Sequence, residues 1–377
     1  MDRKPKVLII SYSDLGHGGI QSQIMSVCRE IHDDVEMDML VWRRKPAYYD
    51  EEFRQFGRIF KCPQYEGDSM SMRRVDFYTR YFRIKRAVFR VLKQYGPYDA
   101  VHCHKAFECA PCLAAASRAG VPVRIAHAHN PESYAMGKGL TARMRKALYG
   151  VYRRIIWRYA THMVACSTEA ADDVYGQGKG SVLCNSIDTQ QFSLARYPAV
   201  AHTGLRLIHV GRFSEQKNQL FLVDVLNALK DRCPDVRLVM VGEQNDYLDA
   251  VKRKAAQKGL SESVVFLPHD SDIPALLAEA DAFVLPSTYE GFGIVLLEAQ
   301  AMGLPCFVSS VVTREVDCGL LSYISLEDGA EKWAEQIAKK TIVSNTRRQG
   351  ADVSRFDVKT VAQNWLRLYR GKEKGAL

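Results

Sequence analysis

Short β-branched runs and helix-length amphipathic segments alternate along almost the whole chain, and this constrains the fold more than any other feature. The series begins with "KVLIIS", a helix from about Ile20, "EMDMLV", the long basic segment Arg73–Gly96, "YDAVHC", a helix from about Ala106 and "PVRIAHA". A second basic segment, Lys138–Ala160, leads to "HMVACS", a short helix and "SVLCN". After the aperiodic stretch "DTQQFSLARYPAVAHTGL" the pattern restarts at "LRLIHVG". Helices over Gln219–Lys230, Tyr247–Lys258 and Ile273–Ala278 then alternate with "VRLVMVG", "VVFLP" and "DAFVLPS". Apolar strands separated by helices predict doubly wound parallel sheets, buried on both faces. A chain of 377 residues exceeds the usual single core, and the restart predicts two Rossmann-like domains, 1–198 and 199–354. The stretch 355–377, containing "RFDVKTVAQNWLRLYRG", reads as a separate amphipathic helix.

Charge divides unevenly between the two halves. Residues 1–198 carry 30 Lys+Arg against 20 Asp+Glu, whereas the rest carries 22 against 23. The excess concentrates in the two basic segments, where cations are interleaved with Tyr, Phe, Trp, Leu and Ile at helical spacing. Such helices either pack an apolar stripe on a sheet or lie against anionic lipid. No zinc-finger, RNP-like or basic-zipper pattern accompanies them, so nucleic acid is not an expected partner. No run of eighteen apolar residues occurs, and "MDRKPKVLIISYSD" reads as a first strand rather than a secretory signal. Ten scattered cysteines suit reduced thiols, and the expected location is cytoplasmic, with peripheral contact at the inner membrane face.

Ligands of doubly wound sheets bind where strands end and helices begin. In "SYSDLGHGGIQSQ", Gly16, Gly18 and Gly19 make a glycine turn, but Gln21 stands where a dinucleotide fingerprint needs a third glycine. A ligand-free tight turn and a close backbone approach to a ligand explain it equally. In "GRFSEQKN", Arg212 and Lys217 stand at a strand end and a helix start, where the helix macrodipole disfavours cations. Phosphate would reverse that penalty, while two solvated side chains are the plain alternative. The third turn, "STYEGFGIVLLEAQAMGLP", sets Gly291 and Gly293 before an apolar helix that stops at Gly303 and Pro305. Bare amides at that start could hold a phosphate. Glu298, inside the helix, needs hydrogen-bond donors to remain charged, and a ribose diol offers two. A salt bridge or exposed stripe is the alternative, as solvent is for the turn residue Glu290.

Taken in order, these motifs resemble the donor site of the retaining family 4 glycosyltransferases, with Glu290 and Glu298 matching that family's E-x7-E pair. Gly18-Gly19 resembles its glycine loop, His129 in "AHAHN" its cleft histidine, and "LCNSID" its Asn-Gly-Val-Asp segment. Ser186 departs from the glycine usual there, and "SSVVTREVD" lacks the common Asp and Gly. "HAHN" and the basic helices are closest in style to bacterial capsule and exopolysaccharide enzymes. The resemblance implies the GT-B fold, α/β, with two Rossmann-like domains facing across a cleft and helix 355–377 packing back on the N-terminal one. It implies transfer of a sugar from a nucleotide-sugar, expected to be a UDP-sugar, to a lipid-linked glycan acceptor with retention. Arg212 and Lys217 would neutralise the departing diphosphate, and amides at Gly293, Ile294 and Val295 would hold its distal phosphate. Glu298 would bind the ribose and Glu290 the sugar hydroxyls, with His129 near the reacting centre, whereas the residue by itself reads as a satisfied core histidine. Gly18, Gly19, Gly291 and Phe292 complete the implied donor site. The implied mechanism is front-face displacement without an enzyme nucleophile, a covalent role for Glu290 being the lesser reading.

No cofactor and no metal are expected. "HCHKAFECAPC" superficially suggests zinc or a redox pair, but Cys103 and Cys109 fall in a strand and helix where cysteine packs as a small apolar residue. The Asp-x-Asp in "HDSD" precedes a helix and is better explained as an N-cap from Asp270, Ser271 or Asp272. Two other classes remain as alternatives: a nucleotide-sugar epimerase of the same two-domain build, and a non-catalytic two-lobed binding module.

Overall fold

The computed structural model describes residues 3–11, 14–16, 18–42, 46–62, 70–133, 139–198, 200, 202–343 and 348–371. In the first unit the order is β1 (Lys6–Ser11), α1 (Gly19–Ile31), β2 (Glu36–Val41), α2 (Asp50–Phe53), β3 (Ile59–Lys61), α3 (Met70–Tyr95) and β4 (Ala100–His104). There follow α4 (Cys109–Ala119), β5 (Val123–Ala128), α5 (Leu140–Tyr159), β6 (His162–Ala165), α6 (Thr168–Tyr175) and β7 (Ser181–Val182). These strands form one parallel sheet in the order β3-β2-β1-β4-β5-β6-β7. Val7, Leu8 and Ile9 of the interior strand β1 are fully buried, as covering by helices on both faces requires.

The second unit repeats the design. It runs β8 (Arg206–Val210), α7 (Gln219–Lys230), β9 (Arg237–Val241), α8 (Asp246–Gln257), β10 (Val264–Leu267), α9 (Ile273–Glu279) and β11 (Ala282–Leu285). Then come α10 (Ile294–Ala301), β12 (Cys306–Ser309), β13 (Leu321–Ile324) and α11 (Gly329–Val343). Its sheet, β10-β9-β8-β11-β12-β13, is also wholly parallel. Local signals set the helix starts. Asn245 accepts from Tyr247 N and Leu248 N before α8, and Asp272 accepts from Ala275 N before α9, with Pro274 in the first turn. The Asp-x-Asp is thus a cap.

The chain then returns. Helix α12 (Val358–Tyr369) belongs to the first unit, which comprises residues 1–186 and 358–377, while 187–357 form the second. The division lies upstream of residue 198 because the connecting stretch satisfies its backbone within the second unit. Ile187 N donates to Phe356 O at 2.9 Å, Ile187 bridges Asp357 in parallel, and Val200 N donates to Ala278 O at 3.3 Å. In the first unit α12 buries Val361, Trp365, Leu366 and Tyr369 in the core that also holds Ile9, Met25 and Met39. Helix α4 begins at Cys109 rather than near Ala106. Four further elements lie outside those that the sequence outlines: α2, β3 and β13 are short, whereas α11 buries Trp333, Ala334, Ile337 and Ala338 at helical spacing.

Candidate functional site

Both sheets reverse their strand order beside their first strand, between β1 and β4 and between β8 and β11. A crevice at the carboxyl ends of the strands is expected at such a reversal, and the turns singled out above lie there.

In the second unit the turn after β8 is held from within by Gln219, which is fully buried. Its Nε2 donates to Arg212 O at 3.0 Å and lies 3.1 Å from His209 Nε2, while its Oε1 accepts from Ser214 N at 3.2 Å. His209 Nδ1 lies 2.9 Å from Val284 O, which can only accept, so the ring carries its proton on Nδ1 and accepts from Gln219. Burial lowers the His209 pKa to about 4, consistent with a neutral ring. Asn218 enters α7 with φ of 56°, a left-handed conformation rare for a residue with a side chain. The turn after β11 is tied to this one: Thr288 N donates to Gln216 O at 2.8 Å, and Gln216 Nε2 to Tyr289 O at 3.1 Å.

That bracing brings Lys217 and Glu290 together. Lys217 Nζ lies 2.5 Å from Glu290 Oε2, with their side chains 16% and 8% exposed, and Ser287 Oγ donates to the same oxygen at 3.2 Å. Glu290 is therefore not a solvated turn residue. Arg212 is exposed, and its guanidinium has no ion pair or hydrogen bond among the described residues. The amides at the start of α10 follow Gly293, whose φ of 82° favours glycine, and no side chain caps them. Phe292 is buried and meets the Phe356 ring edge-on at 5.9 Å, leaving its backbone as its polar offering. Gly291, Ile294 and Val295 flank this uncapped start.

Glu298 lies in α10 with no hydrogen bond or ion pair to its carboxyl group among the described residues. Burial pushes its pKa up to about 7. The salt-bridge alternative is thereby removed among those residues, and the carboxyl group of this half-buried residue has no protein donor among them.

In the first unit Gly18 caps α1 in extended conformation, without a side-chain bond. A Cβ on Gly18 would meet Gln21 Oε1 at 2.5 Å, whereas Gly19 faces open space. Ser186 is accommodated by Gln23, whose Oε1 accepts from Ser186 N at 2.7 Å and whose Nε2 donates to Ser186 Oγ at 3.0 Å. His129, just beyond β5, is buried, and burial lowers its pKa to about 3. It joins three other histidines that sequence reasoning left apart: His104 Nδ1 lies 2.9 Å from His129 Nε2, and His102 Nε2 lies 3.1 Å from His127 Nδ1. Only the register of β4 against β5, which sets His104 opposite His127, reveals this group. His102, His104 and His127 can each aim one nitrogen into a space where all lie within 4.8 Å, the one such group among the described residues. The cysteines of the same segment are free. Gln219 and His209, like this group, follow from no local motif.

Residues 18–184 match the family described as "Glycosyl transferase 4-like domain" and residues 197–316 that described as "Glycosyl transferases group 1". The chain is 33% identical over 366 residues to a glycosyltransferase named EpsF from Bacillus subtilis, covering 93% of this chain and 91% of that one. It is 28% identical over 246 residues to UDP-Gal:alpha-D-GlcNAc-diphosphoundecaprenol alpha-1,3-galactosyltransferase of Escherichia coli, covering 60% and 61%. Among solved structures, Anabaena HepE in complex with UDP and glucose superposes with a TM-score of 0.74 at 18% identity, over 96% of this chain and 98% of that one.

Proposed function

The chain belongs to the family 4 glycosyltransferases and has their GT-B fold of two parallel α/β domains, and from that premise we propose that it moves a sugar from a UDP-sugar to a lipid-linked glycan acceptor in exopolysaccharide or capsule synthesis, with retention of configuration. The observation that carries the donor half is the convergence of Arg212, the Lys217–Glu290 pair and the uncapped start of α10 on two braced turns. Arg212 and Lys217 take the diphosphate, which competes with Glu290 for the lysine. Glu290, released from Lys217, accepts from the sugar hydroxyls. The amides from Gly293 to Val295 hold the distal phosphate, and Glu298 gains the ribose hydroxyls that its burial leaves it lacking. Gly18 and Gly19 give backbone access on the first unit, and His129 hydrogen-bonds the sugar or the acceptor hydroxyl.

As the glycosidic bond breaks, charge grows on the leaving phosphate, where two cations stabilise it most. The leaving oxygen removes the acceptor proton, so no enzyme nucleophile takes part, and Arg212 and Lys217 supply the positive charge that a metal ion would otherwise bring. A UDP donor is favoured by the UDP bound in the HepE complex and by the UDP-Gal in the name of the E. coli relative. A Xanthomonas relative whose name specifies GDP-mannose is the competing precedent. The test is incubation with a panel of UDP-, GDP- and ADP-sugars, with a polyprenyl-diphosphate glycan as acceptor. Release of nucleoside diphosphate, lost by a hundredfold or so in Lys217→Met and unaffected by chelator, is expected. Sugar inversion without release would mean an epimerase, and binding without turnover a non-catalytic module.

Membrane contact is a second part of this reading. Helix α5 exposes Met144, Val151 and Trp157 beside exposed Arg143, Arg145, Lys146, Arg154 and Arg158. No helix among the described residues is long and apolar enough to cross a membrane. Binding to anionic vesicles that weakens with salt is expected, and equal, salt-independent binding to neutral vesicles would refute electrostatic docking.

A further inference from the structure

Strand alternation places His102 and His104 on one face of β4, and His127 and His129 continue that face on and just beyond β5. All four are buried, with exposures of 0%, 2%, 1% and 5% in that order. Helix α12 covers them: the Trp365 ring lies 4.5 Å from His102 and stacks on His104 at 5.2 Å. Tyr369 Oη lies 2.9 Å from His102 Nδ1. Burial holds the pKa of every ring well below the usual histidine value, so each is neutral at pH 7, with one N–H and one lone pair.

Proton counting then links the rings. The bond between His104 Nδ1 and His129 Nε2 holds one proton. If His104 donates it, the proton of His129 itself must sit on Nδ1. If His104 accepts, His129 Nδ1 is left with a lone pair. In either case Nε2 is turned inward, and His129 can meet a substrate only through Nδ1. That nitrogen is buried and has no hydrogen bond of normal geometry among the described residues. The Asn185 amide works against burial at this ring, yet its Oδ1 also stops short of a closed bond. The second pair lies against the first, with the His102 and His104 rings 4.1 Å apart and the His127 and His129 rings 4.2 Å apart, and both nitrogens of His102 are engaged, by Tyr369 and by His127. A metal at His102, His104 and His127 would have to break one of those bonds.

We propose that His104 is a positioning residue: its hydrogen bond to Nε2 fixes the rotamer of His129 and ties the proton of one ring to that of the other, so that His129 presents Nδ1 alone to the substrate. The substrate contact rests on the transfer reading above, whereas the proton placement does not. Isotope-labelled histidine gives the first test, by long-range nitrogen–proton correlations on the full chain at neutral pH. Wild type should show His129 as one neutral tautomer, and His104→Ala should show it averaged between two. In turnover, His104→Ala should lower kcat roughly tenfold to hundredfold while the donor KM stays within about twofold of wild type, because the donor half stands on the other unit. His104→Asn, whose amide reaches the position of Nδ1, should recover most of kcat, and His104→Gln, whose amide reaches the position of Nε2, should not. An averaged His129 in wild type would overturn the proposal whatever the enzyme transfers. Equal kcat for all three variants, or a stoichiometric transition metal bound by these rings in the purified protein, would overturn it as well. Failure to transfer any sugar would sink the transferase reading alone and leave the spectroscopic result standing.

Discussion

Glu298 illustrates how a single carboxyl group can be stable in a fold and still suited to a ligand. Its pKa is raised by burial from 4.5 to about 7. A raised pKa favours the protonated folded state, so this group's stabilising contribution is full below about pH 4.5 and is lost as pH rises through about 7. The shift corresponds to at most about 3 kcal/mol, less what the partly open side chain regains from water. Urea midpoints at pH 5 and pH 8 should therefore differ more for wild type than for Glu298→Gln. An identical pH dependence in the two proteins would mean that the carboxyl group is solvated. The sequence already carried this residue's problem, since its apolar neighbours are visible in "IVLLEAQA". It did not carry the partner of Glu290, because the contact with Lys217 spans 73 positions and depends on β8 and β11 being neighbours.

At the scale of elements, the strand–turn–helix junction is the working unit, and its precision comes from buried amides and imidazoles rather than from the turn itself. Gln219 serves Arg212 O, Ser214 N and His209 Nε2 at once. Gln219→Leu keeps the volume and strands all three groups, which should cost about 1–3 kcal/mol of stability. It should also weaken nucleoside diphosphate binding about tenfold, or 1.4 kcal/mol, with far-UV dichroism unchanged; titration calorimetry checks the affinity. Unaltered binding would show that the turn holds its shape without the strut. The same logic explains what was legible. Helix α7 follows directly from its apolar period, and its bounds Gln219–Lys230 match the periodicity. Strand β3 has three residues and β13 four, so neither leaves a pattern long enough to read. The histidine face on β4 and β5 was hidden for another reason: two H-x-H stretches share a face only once their register is fixed.

For the whole molecule, the stability of the first unit depends on a helix far from it in sequence. Trp365 is fully buried against the sheet face that bears the histidines. Trp365→Ala should cost ~3–5 kcal/mol and lower the melting temperature of the first unit while the second is spared, a split that hydrogen exchange would resolve. Uniform destabilisation of both units would contradict this. The path of the chain also has a consequence during synthesis. A ribosome that has completed residue 186 has made the seven strands of the first sheet but not α12, and 171 residues of the second unit lie between. At roughly 5–20 residues per second that interval is on the order of ten seconds or more. Throughout it, the apolar face awaiting Val361, Trp365 and Tyr369 stays uncovered on the nascent chain, while the later unit has all its own residues and can fold first.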